Sequence, residues 1–123
     1  LKSIIYVFTP KGDVIELPES QFSIFGVIAG CSPAYAFMFI DSMARGAVLN
    51  GMTKEQALKI SAQAVLGSAK MMLESEENPW ALINSVCSPG GTTIEGIATL
   101  QNEKFDKAVM DAVQASYEKD KKL

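Results

Sequence analysis

The chain opens with a short run of β-branched and aromatic residues and then changes to helical spacing. Ile4, Ile5, Tyr6, Val7 and Phe8 form the run, Thr9-Pro10-Lys11-Gly12 has turn composition, and Val14, Ile15 and Leu17 follow before Pro18 stops it. That pattern predicts a β-hairpin over residues 1–17. A lone hairpin is marginal in water, so this one must lie on another surface or pair with a second copy of itself.

Beyond Pro18 the apolar positions recur at helical intervals. The pattern predicts a first helix over Ser20 to Ala29, a break at Gly30 to Ser32, and a second helix with Pro33 in its first turn. Between Pro33 and Leu49 the polar side chains Asp41, Ser42 and Arg45 share one narrow stripe. Such a helix is expected to be buried on nearly all sides. Thr53 and Gln56 form a capping box that opens a third helix running to about Ser75, with Lys59, Gln63, Lys70 and Glu74 as its polar stripe. Its Ala62, Ala64, Gly67, Ser68 and Ala69 permit close helix approach. Asn78-Pro79 reads as a cap and first-turn proline for a short helix to about Val86. Cys87 to Gly91 cannot be helical, and Thr92 to Glu95 reads as a second capping box, for a helix ending near Asn102. A last helix, Glu103 to about Lys121, carries Phe105, Ala108, Val109, Ala112, Val113, Ser116 and Tyr117 on one face. The expected fold class is all-α, about six helices in residues 18–123 behind a β-hairpin or linker segment in residues 1–17.

Composition narrows the function. At 123 residues and 48% hydrophobic, the chain is one domain's worth of sequence. A 13.2 kDa chain would expose roughly 6,400 Å² folded against roughly 19,000 Å² unfolded, enough burial for a core without staples. Two consecutive helices with thin polar stripes nevertheless need more cover than their short companions can give, which predicts an oligomer. A net charge of -3 argues against a nucleic-acid partner. With no histidine, a zinc site and a histidine-based triad are excluded, and Cys31 and Cys87 read as small buried residues. Ser20 to Ile40 holds no charge over 21 residues and contains a GxxxG at Gly26 and Gly30. The expected break before Pro33 would cut this run into pieces too short to span a bilayer, so no membrane partner is expected. Without an initiating methionine or signal peptide, the sequence reads as an excised piece of a cytoplasmic protein.

Ser88-Pro89-Gly90-Gly91-Thr92-Thr93 is the segment most suggestive of chemistry. Two glycines let a ligand approach the backbone, and the loop runs into a helix N-terminus, where unpaired N–H groups and the helix dipole attract an anion. A carboxylate or phosphate fits there. The plainer alternative is a tight connection capped by Thr92, with Glu76 and Glu77 as ordinary helix-end charges.

Four segments together resemble a known family. Gly30-Cys31-Ser32-Pro33-Ala34-Tyr35, Gly51-Met52, Ala64 to Met71, and Ser88 to Gly96 are similar to the C-terminal domain of pyrroline-5-carboxylate reductases. The likeness runs from about Val14 to the end. It implies an interlocked helical dimerisation domain, in a homodimer that can assemble further, of an enzyme reducing 1-pyrroline-5-carboxylate to proline with NADP or NAD as cofactor. Carried over residue by residue, Gly90, Gly91, Thr92 and Thr93 would hold the substrate carboxylate through backbone N–H groups. The Thr93 hydroxyl would sit near the imine nitrogen as the catalytic group, and Glu76 would lie near the substrate. Ser32 departs from the family's usual glycine, which puts the local turn in question. No GxGxxG follows a strand here, so this stretch is expected to bind no nicotinamide cofactor and to be inactive alone. Val7 to Pro18 resembles the opening hairpin of a TGS domain, and only about a quarter of such a domain is present. Two accounts follow: the reductase's own linker strand, or a chimera in which a non-catalytic helical dimer displays a TGS-like hairpin.

Overall fold

The computed structural model describes residues 4–8, 12–87, 89 and 91–123. Thr9, Pro10 and Lys11 of the expected turn lie outside the described residues. The chain divides into two compact units, residues 1–35 with 107–123, and residues 36–106.

In the first unit, β1 (Ile4–Phe8) and β2 (Val14–Pro18) pair antiparallel, with Tyr6 opposite Glu16 and Phe8 opposite Val14. Gly12 takes φ 89°, the left-handed region that a side chain resists. Ile4, Tyr6, Phe8 and Val14 share one face and are all exposed; Val7 and Leu17, on the other, are half-buried.

The break before Pro33 does not occur. The backbone is helical without interruption from Glu19 to Leu49, through a 3-10 turn (Glu19–Gln21), α1 (Phe22–Gly26), a π turn (Val27–Cys31) and α2 (Ser32–Leu49). The Ser32 N–H donates to the Val27 carbonyl, the wide bond of a π turn. Proline in a helix loses one hydrogen bond and crowds the carbonyl four residues back. Here the wide turn just before Pro33 gives room, and the Ser32 hydroxyl donates to the Ile28 carbonyl. Ser32 itself has ordinary right-handed helical angles, φ -64° and ψ -23°, so serine where the resemblance implies glycine carries no strain. The uninterrupted helix is therefore long and apolar enough to cross a bilayer by length and composition, with mean hydropathy 1.7 over an 18-residue window within it.

The same unit contains α6 (Phe105–Lys121) from Lys107 onward. The Tyr35 hydroxyl donates to the Ala112 carbonyl at 3.2 Å and also bonds Ser116, while the Ser23 hydroxyl donates to Asp120. The helix starts two residues later than expected because Lys104 turns left-handed, with φ 59°.

The second unit holds most of α2, then α3 (Lys54–Glu74), α4 (Pro79–Val86) and α5 (Thr92–Asn102). The expected caps form at α3, where the Thr53 hydroxyl accepts from the Gln56 N–H at 3.3 Å, and at α4, where Asn78 Oδ1 accepts from the Ala81 N–H at 2.9 Å. Lys54 pairs with Asp41 at 2.9 Å, and the Phe39 and Phe105 rings lie 5.9 Å apart.

The expectation of a self-sufficient core fails. Among the described residues the buried side chains are Val27, Ala44, Ala57 and Ser61, and three of these four are small. The chain exposes 9,775 Å², about 3,400 Å² more than a folded monomer of its mass. Nor is α2 buried on nearly all sides: Phe37 and Met38 are 69% and 74% exposed.

Candidate functional site

The Thr92 to Glu95 capping box is displaced by one residue. α5 already includes Thr92, and its N-cap is Gly91, with extended angles φ -84° and ψ 175° and no side-chain cap. An α-helix leaves its first N–H groups without intrahelical partners, and glycine supplies no oxygen to accept from them. The start of α5 thus presents donors that no described side chain caps, at the positive end of a helix dipole, chemistry that suits an anion. Gly91 is half-buried, and Thr92 and Thr93 are exposed. Neither threonine hydroxyl has a hydrogen-bond partner among the described residues. Gly90 and Ser88 lie outside the described residues.

Glu76 sits elsewhere, on the connector between α3 and α4. It is exposed and has no side-chain partner among the described residues. Gly91, Thr92 and Thr93 come together at one helix start, whereas Glu76 lies at the other end of α4 and touches none of them among the described contacts. Cys87 ends α4, its N–H on the Ile83 carbonyl at 3.1 Å; it is half-buried, whereas Cys31 is exposed rather than buried as expected.

Sequence reasoning missed an apolar groove of about 560 Å³ between α3 and α4, lined by Ala64, Gly67, Met71, Pro79, Leu82 and Val86 among others. Its signal was the run of small residues in α3. A Cβ built on Gly67 would meet nothing within 4 Å, so the close approach that these residues permit is not made there by the described residues.

No group of three or more metal-ligating side chains occurs among the described residues. A dinucleotide cradle needs a parallel strand-helix-strand unit with a glycine-rich turn. The strands described here form one antiparallel pair, and the residues of this stretch do not fit NADP.

Comparison with known proteins identifies the family. The family described as pyrroline-5-carboxylate reductase dimerisation matches residues 19–123. The chain is 47% identical to the pyrroline-5-carboxylate reductase of Escherichia coli (strain K12) over 120 residues, 98% of this chain and 45% of that protein. Two solved structures superpose closely. That of 1-pyrroline-5-carboxylate reductase from Streptococcus pyogenes has a TM-score of 0.85 at 38% identity, covering 91% of this chain and 43% of that one. The Plasmodium falciparum pyrroline carboxylate reductase, with NADP bound, has a TM-score of 0.81 at 35% identity, covering 85% and 40%. The chain therefore spans under half the length of the proteins it matches.

Proposed function

The chain belongs to the pyrroline-5-carboxylate reductase dimerisation family, and on that premise we propose that it is the dimerising, substrate-binding part of a cytoplasmic reductase. The parent enzyme reduces 1-pyrroline-5-carboxylate to proline with NAD(P)H. The observation that carries the substrate reading is the uncapped start of α5 at Gly91.

In this reading the substrate carboxylate takes the place of the missing cap, accepting from backbone N–H groups of Gly90 to Thr93. Binding through the main chain leaves the Thr93 side chain free. Its hydroxyl, two residues into the helix, reaches the ring nitrogen and assists the change from imine to amine. Glu76 lies against the substrate from the connector. The nicotinamide is held by other parts of the parent polypeptide, and the residues here bind and orient.

The excess exposure of about 3,400 Å² supports a homodimer whose second copy covers the apolar faces of α2 and α3. The apolarity of the Glu19–Leu49 helix is then that of an interface. The hairpin is best taken as the reductase's own, because the Escherichia coli alignment takes in 120 of the 123 residues and hence most or all of it. That speaks against a displayed TGS-like module.

A crystal of the full-length enzyme soaked with proline should show the carboxylate on the Gly91 to Thr93 N–H groups. An active enzyme binding proline elsewhere, with this helix start vacant, would overturn the reading.

A further inference from the structure

We propose that Ser75 is a positioning residue for Glu76, an inference that rests on the reading of Glu76 as a substrate neighbour. Ser75 ends α3 in an extended conformation, φ -95° and ψ 149°, with its own N–H on the Met71 carbonyl at 2.9 Å. Its hydroxyl oxygen accepts from the Glu77 N–H at 3.0 Å. That bond closes a small ring around one residue, Glu76, and so fixes the backbone from which its carboxylate projects.

The other end of the connector is tied as well. Asn78 caps α4 through its bond from the Ala81 N–H, and Pro79 occupies the first turn. Between these anchors Glu76 is exposed and has no side-chain partner among the described residues, so the turn fixes where its Cα–Cβ bond points and thereby which space its carboxylate can reach. Ser75 is half-buried, whereas Glu74, Glu76 and Glu77 are exposed. A glutamate that must meet a small substrate gains from such an arrangement, since preorganisation lowers the cost of ordering it at binding. Ser75 itself touches no substrate; it acts through Glu76.

The test is steady-state kinetics of the full-length reductase carrying this stretch. Ser75→Ala should raise KM for pyrroline-5-carboxylate about three- to tenfold, the worth of one net hydrogen bond, with kcat little changed. Ser75→Thr, which keeps the acceptor, should restore KM. Ser75→Cys keeps the volume with a poor acceptor and should behave like alanine, which covers the case of an alanine variant that fails to assemble. In a Glu76→Gln background Ser75→Ala should add nothing further. An equal, additive rise in that background would overturn the proposal, as would an unchanged KM in Ser75→Ala when Glu76→Gln raises it. If Glu76→Gln itself leaves KM unchanged, the assignment of Glu76 to the substrate fails, and this inference fails with it.

Discussion

Truncating Met71 to alanine probes whether the groove between α3 and α4 is a contact between protomers. Full burial of a methionine side chain is worth about 1.5–3 kcal/mol. Met71 is 59% exposed, so covering the rest by a second copy contributes roughly 1–1.8 kcal/mol per protomer. A two-fold contact counts each substitution twice, which makes the loss roughly 2–3.5 kcal/mol per dimer. Dimer dissociation should therefore become about 30- to 400-fold easier. Mass photometry or sedimentation over a dilution series from micromolar to nanomolar reads this directly, with circular dichroism to check that helicity is retained. Lys59→Ala is the control, because Lys59 and its i,i+4 partner Glu55 are 77% and 82% exposed and pair at 3.5 Å. A Met71→Ala protein that dissociates over the same concentration range as the parent would refute the reasoning, and would assign the groove to solvent or to the remainder of the polypeptide.

Three other perturbations test separate parts of the account. Thr93→Ala in the full-length enzyme should lower kcat about ten- to a hundredfold while Thr93→Ser is tolerated; a lowered melting temperature with unchanged turnover per folded enzyme would remove Thr93 from the site. The hydrogen bond and charge of Lys54 hold the Asp41 carboxyl below its ordinary value of 3.8, so this pair stabilises the fold above that pH and loses its effect as the pH falls through the depressed value. Melting curves of the parent and Lys54→Gln should differ by a small, constant amount near neutrality, since both groups are about half exposed, and converge in acid; a gap that widens in acid would contradict this. Finally, the isolated 123-residue stretch should neither enhance NADPH fluorescence nor oxidise NADPH with pyrroline-5-carboxylate, because hydride transfer needs the cofactor held beside the substrate. Turnover by that stretch would mean that the nicotinamide site has been misassigned.

What could be read from residue order alone was what residue order decides locally. Thr53 and Asn78 cap their helices as their spacing predicts, because a cap is a bond between neighbours three residues apart. The hairpin follows from the same locality. Pro33 misled because its usual effect, ending a helix, is offset here by a π turn and a serine hydroxyl, a combination without a simple spacing signal. Thr92 looked like a cap because threonine usually is one, yet Gly91 already has the extended angles of that position. The burial of α2 and α3 could not be located within a single chain, since apolar spacing shows that a face is covered and not which molecule covers it. At the candidate site, a helix start beside the glycines was legible from the motif and its cap was misplaced by one residue, whereas the ring closed by Ser75 depends on one side-chain rotamer.

The π turn at Val27–Cys31 also bears on how this helix can change length over generations. A π turn carries one residue more than the α turn it interrupts, so deleting a single residue there restores regular geometry instead of breaking the helix. Five residues of a π turn sweep nearly the same angle as four residues of α-helix, about 400°, so such a deletion leaves the residues on either side in nearly the same phase. The wide turn thus absorbs one residue of sequence while the side chains of Phe22–Gly26 and of Ser32–Leu49 keep their faces. A sequence one residue shorter at this point can therefore form a regular helix and still present both faces as they are.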